Sequence, residues 1–140
     1  MYTIKTMNSF DSTHFLKGYE GKCSNIHGHR WTVEIEVKGE DLSTDKQTRG
    51  MLCDFSTLKS DVKRETDFFD HTFIIEKGSL KENTLSALKD EGFKITEVSF
   101  RPTAESFAKY FYDRFKALGY DVKKAVVYET PNNCAEYGEE

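Results

Sequence analysis

At 140 residues the chain has the size of one ordinary domain, and 37% hydrophobic against 31% charged residues excludes a fibrous or disordered polypeptide. A net charge of −4 argues against a general nucleic-acid binder, although a few basic side chains around one pocket would still suit a small anion. No apolar run approaches the roughly 20 residues needed to cross a bilayer and MYTIKTMNSF is not a secretion signal, so no membrane partner is expected, a cytoplasmic location is, and Cys23, Cys53 and Cys134 should stay reduced.

Residues 2–16 read as a strand with Ile4, Phe10, His14 and Leu16 in phase and a poor stretch at Met7 and Asn8 that would suit a bulge. GYEG, residues 18–21, is turn-like. HRWTVEIEVKG then alternates strictly: Trp31, Val33, Ile35 and Val37 occupy one face of a half-buried strand, and Thr32, Glu34, Glu36 and Lys38 the other. His27 and His29 share the apolar parity, so an antiparallel pair of these two strands would bring His14 close to both.

Beyond a polar connection, Phe55, Leu58 and Val62 recur at helical spacing behind Asp54, a suitable N-cap. Residues 79–91, with Leu80, Leu85 and Leu88 before Gly92, predict a short peripheral helix. RPTAESFAKYFYDRFKALG predicts the clearest helix, capped by Thr103, buried along Phe107, Phe111, Phe115 and Leu118, and ended by Gly119. A strand in DVKKAVVYET follows, with Ala125, Val127 and Glu129 in phase, and a short strand around 135–137 closes the chain. The order strand, strand, helices, strand, strand describes a single α+β domain whose sheet carries its helices on one face.

Three neutral imidazoles, His14, His27 and His29, are the donor number of a catalytic zinc site with one position left for water or substrate. Cys23, four residues before His27, allows two arrangements. It closes the site as a fourth, structural ligand, or it stands beside an open site, where Lys22 and a cation would favour a thiolate able to act as general base or nucleophile. In FDHTF, Asp70 would orient the His71 imidazole only if a turn or helix end lets these neighbours cooperate. Glu129 is a carboxylate at an apolar-phase position: either an edge residue facing water, or a bidentate acceptor for adjacent N–H groups such as those of a guanine or pterin ring. Glu105, in the first turn of the Phe-rich helix, also simply suits a helix N-terminus.

FDSTHFL, GKCSNIHGHRW, GMLCDFSTLK, FDH, RPTAES and VYETPNN, in this order, resemble the 6-pyruvoyl tetrahydropterin synthase superfamily, most closely its bacterial 6-carboxy-tetrahydropterin synthase branch of queuosine biosynthesis. The Cys-x-x-x-His-x-His spacing is similar to that of the carboxy-forming branch. The resemblance implies Zn2+ on His14, His27 and His29, proton transfer by Cys23 and by the Asp70–His71 pair, and a pterin ring anchored by Glu129 with Glu105 and Thr103 also at the substrate. It further implies a tunnelling fold, a four-stranded antiparallel sheet that joins its neighbours into a barrel, with trimers stacked into a homo-hexamer. The implied partner is a small pterin triphosphate, and Lys22, Lys77 and Arg101 are the basic residues considered for its phosphates. Phe69 and Ser106 depart from the usual leucine and asparagine, and residues 76–100 exceed the compact core of the family. Two other readings stay open: pyruvoyl formation on the same scaffold, and a non-enzymatic zinc module. A nucleotide-binding protein would require a phosphate-cradling Gly-rich loop, which is absent from the sequence.

Overall fold

The computed structural model describes residues 1–139. Its two long strands, β1 (Tyr2–His14) and β2 (His27–Gly39), pair antiparallel without interruption from Tyr2 opposite Gly39 to His14 opposite His27. The bulge expected at Met7 and Asn8 is not present. Met7 is exposed, and the Asn8 amide donates to Thr66 Oγ1 at 2.8 Å, so this polar stretch serves a helix contact. A register irregularity does occur, at Glu36 and Val37, where β2 meets β5 (Val122–Thr130).

With β6 (Asn133–Tyr137), these strands form the antiparallel half of a sheet that also contains β3 (Thr72–Glu76) and β4 (Ile95–Val98), in the order β4-β3-β1-β2-β5-β6. The sheet is therefore six-stranded and mixed, and the four strands read from the sequence are its antiparallel part. β3 and β4 run parallel to β1 and to each other. They escape the sequence pattern because they are short, and because adjacent Ile74 and Ile75 are both buried, which erases alternation.

Helix α1 (Phe55–Asp67) starts at Asp54, whose carboxylate accepts from Ser56 N at 2.8 Å. It buries Leu58, Val62, Glu65 and Thr66, whereas Phe55 in its first turn is 57% exposed and does not join the stripe. Helix α2 (Glu82–Asp90) buries nothing, as a peripheral element should. Helix α3 (Ala104–Ala117) is capped by the Thr103 hydroxyl, 3.1 Å from Ser106 N, and Gly119 beyond its end adopts φ +100°.

The buried face of α3 comprises Ala104, Phe107, Ala108, Phe111, Tyr112 and Phe115; Leu118, expected there, lies past the last turn and is 39% exposed. Phe107 meets Phe10, Trp31 and Phe69 at centroid distances of 6.5, 5.2 and 5.3 Å. This aromatic layer joins α3 to the inner face of the sheet and forms a solid floor beneath the histidine end of β1 and β2.

Candidate active site

The register of β1 and β2 builds the histidine cluster. His14 lies directly opposite His27, and His29 is the next residue along the same face, so one direct and one diagonal cross-strand contact bring three imidazoles together. Their ring centroids are 4.5, 5.1 and 4.9 Å apart, and Trp31 supports His14 and His29 edge-on from below. One ring nitrogen from each histidine lies within 4.8 Å of the others, and among the described residues no cysteine or carboxylate joins the group.

Hydrogen bonding selects which nitrogens face one another. His14 Nδ1 donates to the Pro102 carbonyl at 2.8 Å and His27 Nδ1 to the Asn25 carbonyl at 2.7 Å. In the neutral rings each Nε2 then carries a lone pair, yet the two Nε2 atoms are 3.0 Å apart. Lone pairs at that distance repel unless a proton or a cation lies between them. A proton is disfavoured: burial first, then the neighbouring His27 and His29, hold the His14 pKa down to about 4, against the Pro102 carbonyl. His29 Nε2 is buried without a hydrogen-bond partner, 3.3 Å from Glu129 Oε1 but misaligned for a bond; burial lowers the pKa of this ring too, opposed by the Glu129 charge. Three imidazoles, two with Nε2 atoms facing each other and one with a buried Nε2 that lacks a hydrogen-bond partner, fit a divalent metal of the zinc, copper, iron or nickel type.

The His14 environment carries a pH prediction. Its imidazole resists protonation when folded and accepts a proton near pH 6.5 when unfolded, so acid favours the unfolded metal-free chain. Stability present above pH 6.5 is lost as the pH falls toward 4. Between pH 7 and 5 the loss from this group is about 2 kcal/mol. Urea melts of the metal-free protein across that range should show it, with a shallower pH slope in His14→Gln.

A turn after α1 positions Asp70 and His71. The Ser12 and Thr72 hydroxyls both donate to the Phe69 carbonyl, His71 N donates to the Asp11 carbonyl at 2.7 Å, and Asp11 N donates to Asp70 Oδ1 at 2.9 Å. Held this way, His71 takes φ +55°, uncommon for a residue with a side chain, and adjacent residues that would diverge in a strand converge. Asp70 Oδ2 accepts from His71 Nδ1 at 2.9 Å, which leaves His71 Nε2 free to accept a proton. The Asp11 N–H, followed by His71 and Arg30, holds the Asp70 carboxyl below the usual carboxylate range, so it stays ionised.

His71 and His29 border one cavity of about 670 Å³, whose walls include Asp11, Arg30, Phe73 and Phe93. His29 and Glu129 border a second, of about 500 Å³, with Gly28 and Arg30 common to both. Glu129 extends the inner face of β5, its carboxylate beside His29. Cys23 is half-buried in a single 3₁₀ turn, Lys22–Ser24, outside the histidine group. Thr103 is occupied in capping α3 and Glu105 is exposed in its first turn; neither borders the two cavities. Lys22 and Lys77 are exposed and Arg101 is engaged elsewhere, whereas Arg30 and Lys94, which the sequence did not single out, do line the larger cavity. The arrangement sets a histidine cluster able to hold a metal, an imidazole oriented by Asp70 and the Glu129 carboxylate around two adjoining clefts, groups that can bind a cation, carry a proton and accept hydrogen bonds.

A family model described as 6-pyruvoyl tetrahydropterin synthase matches residues 3–140. The chain is 36% identical to the 6-carboxy-5,6,7,8-tetrahydropterin synthase of Haemophilus influenzae over 99% of its own length and 100% of the relative's. It is also 36% identical to the enzyme of that name from Aquifex aeolicus, over 85% and 77%. Among solved structures, an uncharacterised protein of Wolinella succinogenes superposes with TM-score 0.79 at 22% identity, covering 99% and 98% of the two chains. The Caenorhabditis elegans 6-pyruvoyl tetrahydropterin synthase superposes with TM-score 0.69 at 22% identity, covering 99% and 96%. At those identities the likeness speaks for the fold.

Proposed function

The chain belongs to the 6-pyruvoyl tetrahydropterin synthase family, and from that premise we propose that it converts 7,8-dihydroneopterin triphosphate and water to 6-carboxy-5,6,7,8-tetrahydropterin, acetaldehyde and triphosphate. The observation that carries the reading is the end-to-end similarity to a relative named for the carboxy product. The same reading puts the product in queuosine synthesis in the cytoplasm. It also makes the chain one copy of a homo-hexamer of two stacked trimers, in which the free sheet edges β4 and β6 receive neighbouring copies. No helix among the described residues is long and apolar enough to cross a membrane.

In this reading the Glu129 carboxylate accepts two hydrogen bonds from the amide and amine edge of the pterin, fixing the ring so that its side chain lies between the two proton carriers. His71 Nε2 takes or returns a proton on one side, with Asp70 holding the tautomer. The Cys23 sulfur does the same on the other side. His14, His27 and His29 would hold Zn2+, which would supply Lewis acidity toward the oxygens of the substrate's side chain. Glu105 and Thr103 border neither cavity, so this reading gives them no contact with the ring inside one chain.

Incubation with 7,8-dihydroneopterin triphosphate tests the assignment. The expected products are 6-carboxy-tetrahydropterin with equimolar acetaldehyde and triphosphate; a pyruvoyl-tetrahydropterin without acetaldehyde would overturn it.

A further inference from the structure

Arg101 stands in the link between β4 and α3, immediately before Pro102, whose carbonyl holds His14. Its guanidinium faces the Cys23 loop. Nη2 donates to the Lys17 carbonyl at 3.2 Å, and the guanidinium carbon lies 5.8 Å from the centre of the Tyr19 ring. The ring is pressed in turn against Gly21, where an added Cβ would come within 2.8 Å of Tyr19 Cε1. Cys23 follows two residues later.

The rest of this loop is held by its own residues and by the two strand ends it joins, the His27 ring donating to the Asn25 carbonyl at 2.7 Å. Leu16 N donates to the Cys23 carbonyl at 2.9 Å, Ser24 N to Gly21 and Asn25 N to Lys22, and the 3₁₀ turn has no buried residue. Among the described residues, the Arg101 bond to Lys17 is the one hydrogen bond linking residues 17–25 to a distant part of the chain. A short exposed loop with so few anchors opens readily, and a proton carrier displaced by about 1 Å loses on the order of 100-fold in rate.

We propose that Arg101 is a positioning residue: stacked on Tyr19 and bonded to the Lys17 carbonyl, it clamps the Cys23 loop to the same segment that orients His14. The catalytic consequence rests on the reading of Cys23 as a proton carrier. The clamp itself does not. It also assigns Arg101 a task other than binding the substrate's phosphates.

The test combines turnover with peptide-resolved iodoacetamide labelling of the metal-loaded full chain, comparing Arg101→Met, Tyr19→Ala and Tyr19→Phe. Arg101→Met and Tyr19→Ala should label Cys23 severalfold faster while Cys53, which reports global integrity, keeps its rate. Their kcat should fall by about 10–100-fold with KM and bound metal unchanged. Tyr19→Phe, which keeps the ring, should match the parent in both measurements. Unchanged Cys23 labelling in Arg101→Met would overturn the clamp, as would a raised KM with kcat intact, which would mark Arg101 as a substrate contact. Faster Cys23 labelling with undiminished kcat would uphold the clamp and reject the role of Cys23.

Discussion

Cys23→Ala is expected to lower the turnover of 7,8-dihydroneopterin triphosphate by about 10²–10⁴-fold, the contribution typical of a positioned proton carrier, while the bound metal stays at the parent level. The reasoning starts from placement. Cys23 sits outside the group formed by His14, His27 and His29 and on a loop with little buried contact, so removing its sulfur leaves the three imidazoles and the packing beneath them intact. Metal content by elemental analysis, read beside kcat and a thermal melt, separates the two arrangements the sequence left open. Loss of metal and of folding stability together with activity would identify a closed four-ligand site and defeat the assignment of Cys23 to proton transfer.

His27→Ala should produce the complementary result, a folded protein whose metal affinity falls by more than about 100-fold, since even outer-sphere substitutions lower affinity 10–100-fold. Turnover should vanish although Cys23, Asp70 and His71 remain. His27 is the informative choice because it is only partly buried, whereas His14 is 1% exposed and lies among Trp31 and the other two rings, so replacing it would also disturb the core. Elemental analysis after dialysis and far-UV circular dichroism would read the two effects separately. Retention of metal at parent affinity would show that His14 and His29 recruit some other donor, and would sink the three-imidazole site.

Much of this protein is visible in one dimension because period-2 and period-3.6 patterns follow from local backbone geometry. Trp31, Val33, Ile35 and Val37 announce β2 and its inner face, and Phe107, Phe111 and Phe115 announce α3, because an apolar face imposes the spacing; β2 is nevertheless buried on both faces rather than half-buried, Glu34 lying against Lys5 and Glu36 against Lys124. Phe55 and Leu118 follow the same periods and are nonetheless exposed, since periodicity states which side of a helix a residue occupies and not whether anything covers its end. β3 and β4 are hidden for the opposite reason: β3 is buried on both sides and both strands owe their existence to partners far away in sequence, β3 to Ser12 and Thr13 of β1 and β4 to β3.

The site divides in the same way. The residue types, the two-residue separation of His27 and His29, and the shared parity of His14 are properties of the sequence, and they determine that a matching register would converge three imidazoles. The register itself belongs to the tertiary structure, as do the Pro102 and Asn25 carbonyls that turn both Nε2 atoms inward and the Asp11 contacts that hold His71 at a positive φ beside Asp70. The hold of Arg101 on the Cys23 loop, across 84 positions from Lys17, is equally invisible in the sequence. Side-chain chemistry is written residue by residue, but the direction of a lone pair or an N–H depends on which backbone groups the folded chain brings to it, and those come from anywhere along its length.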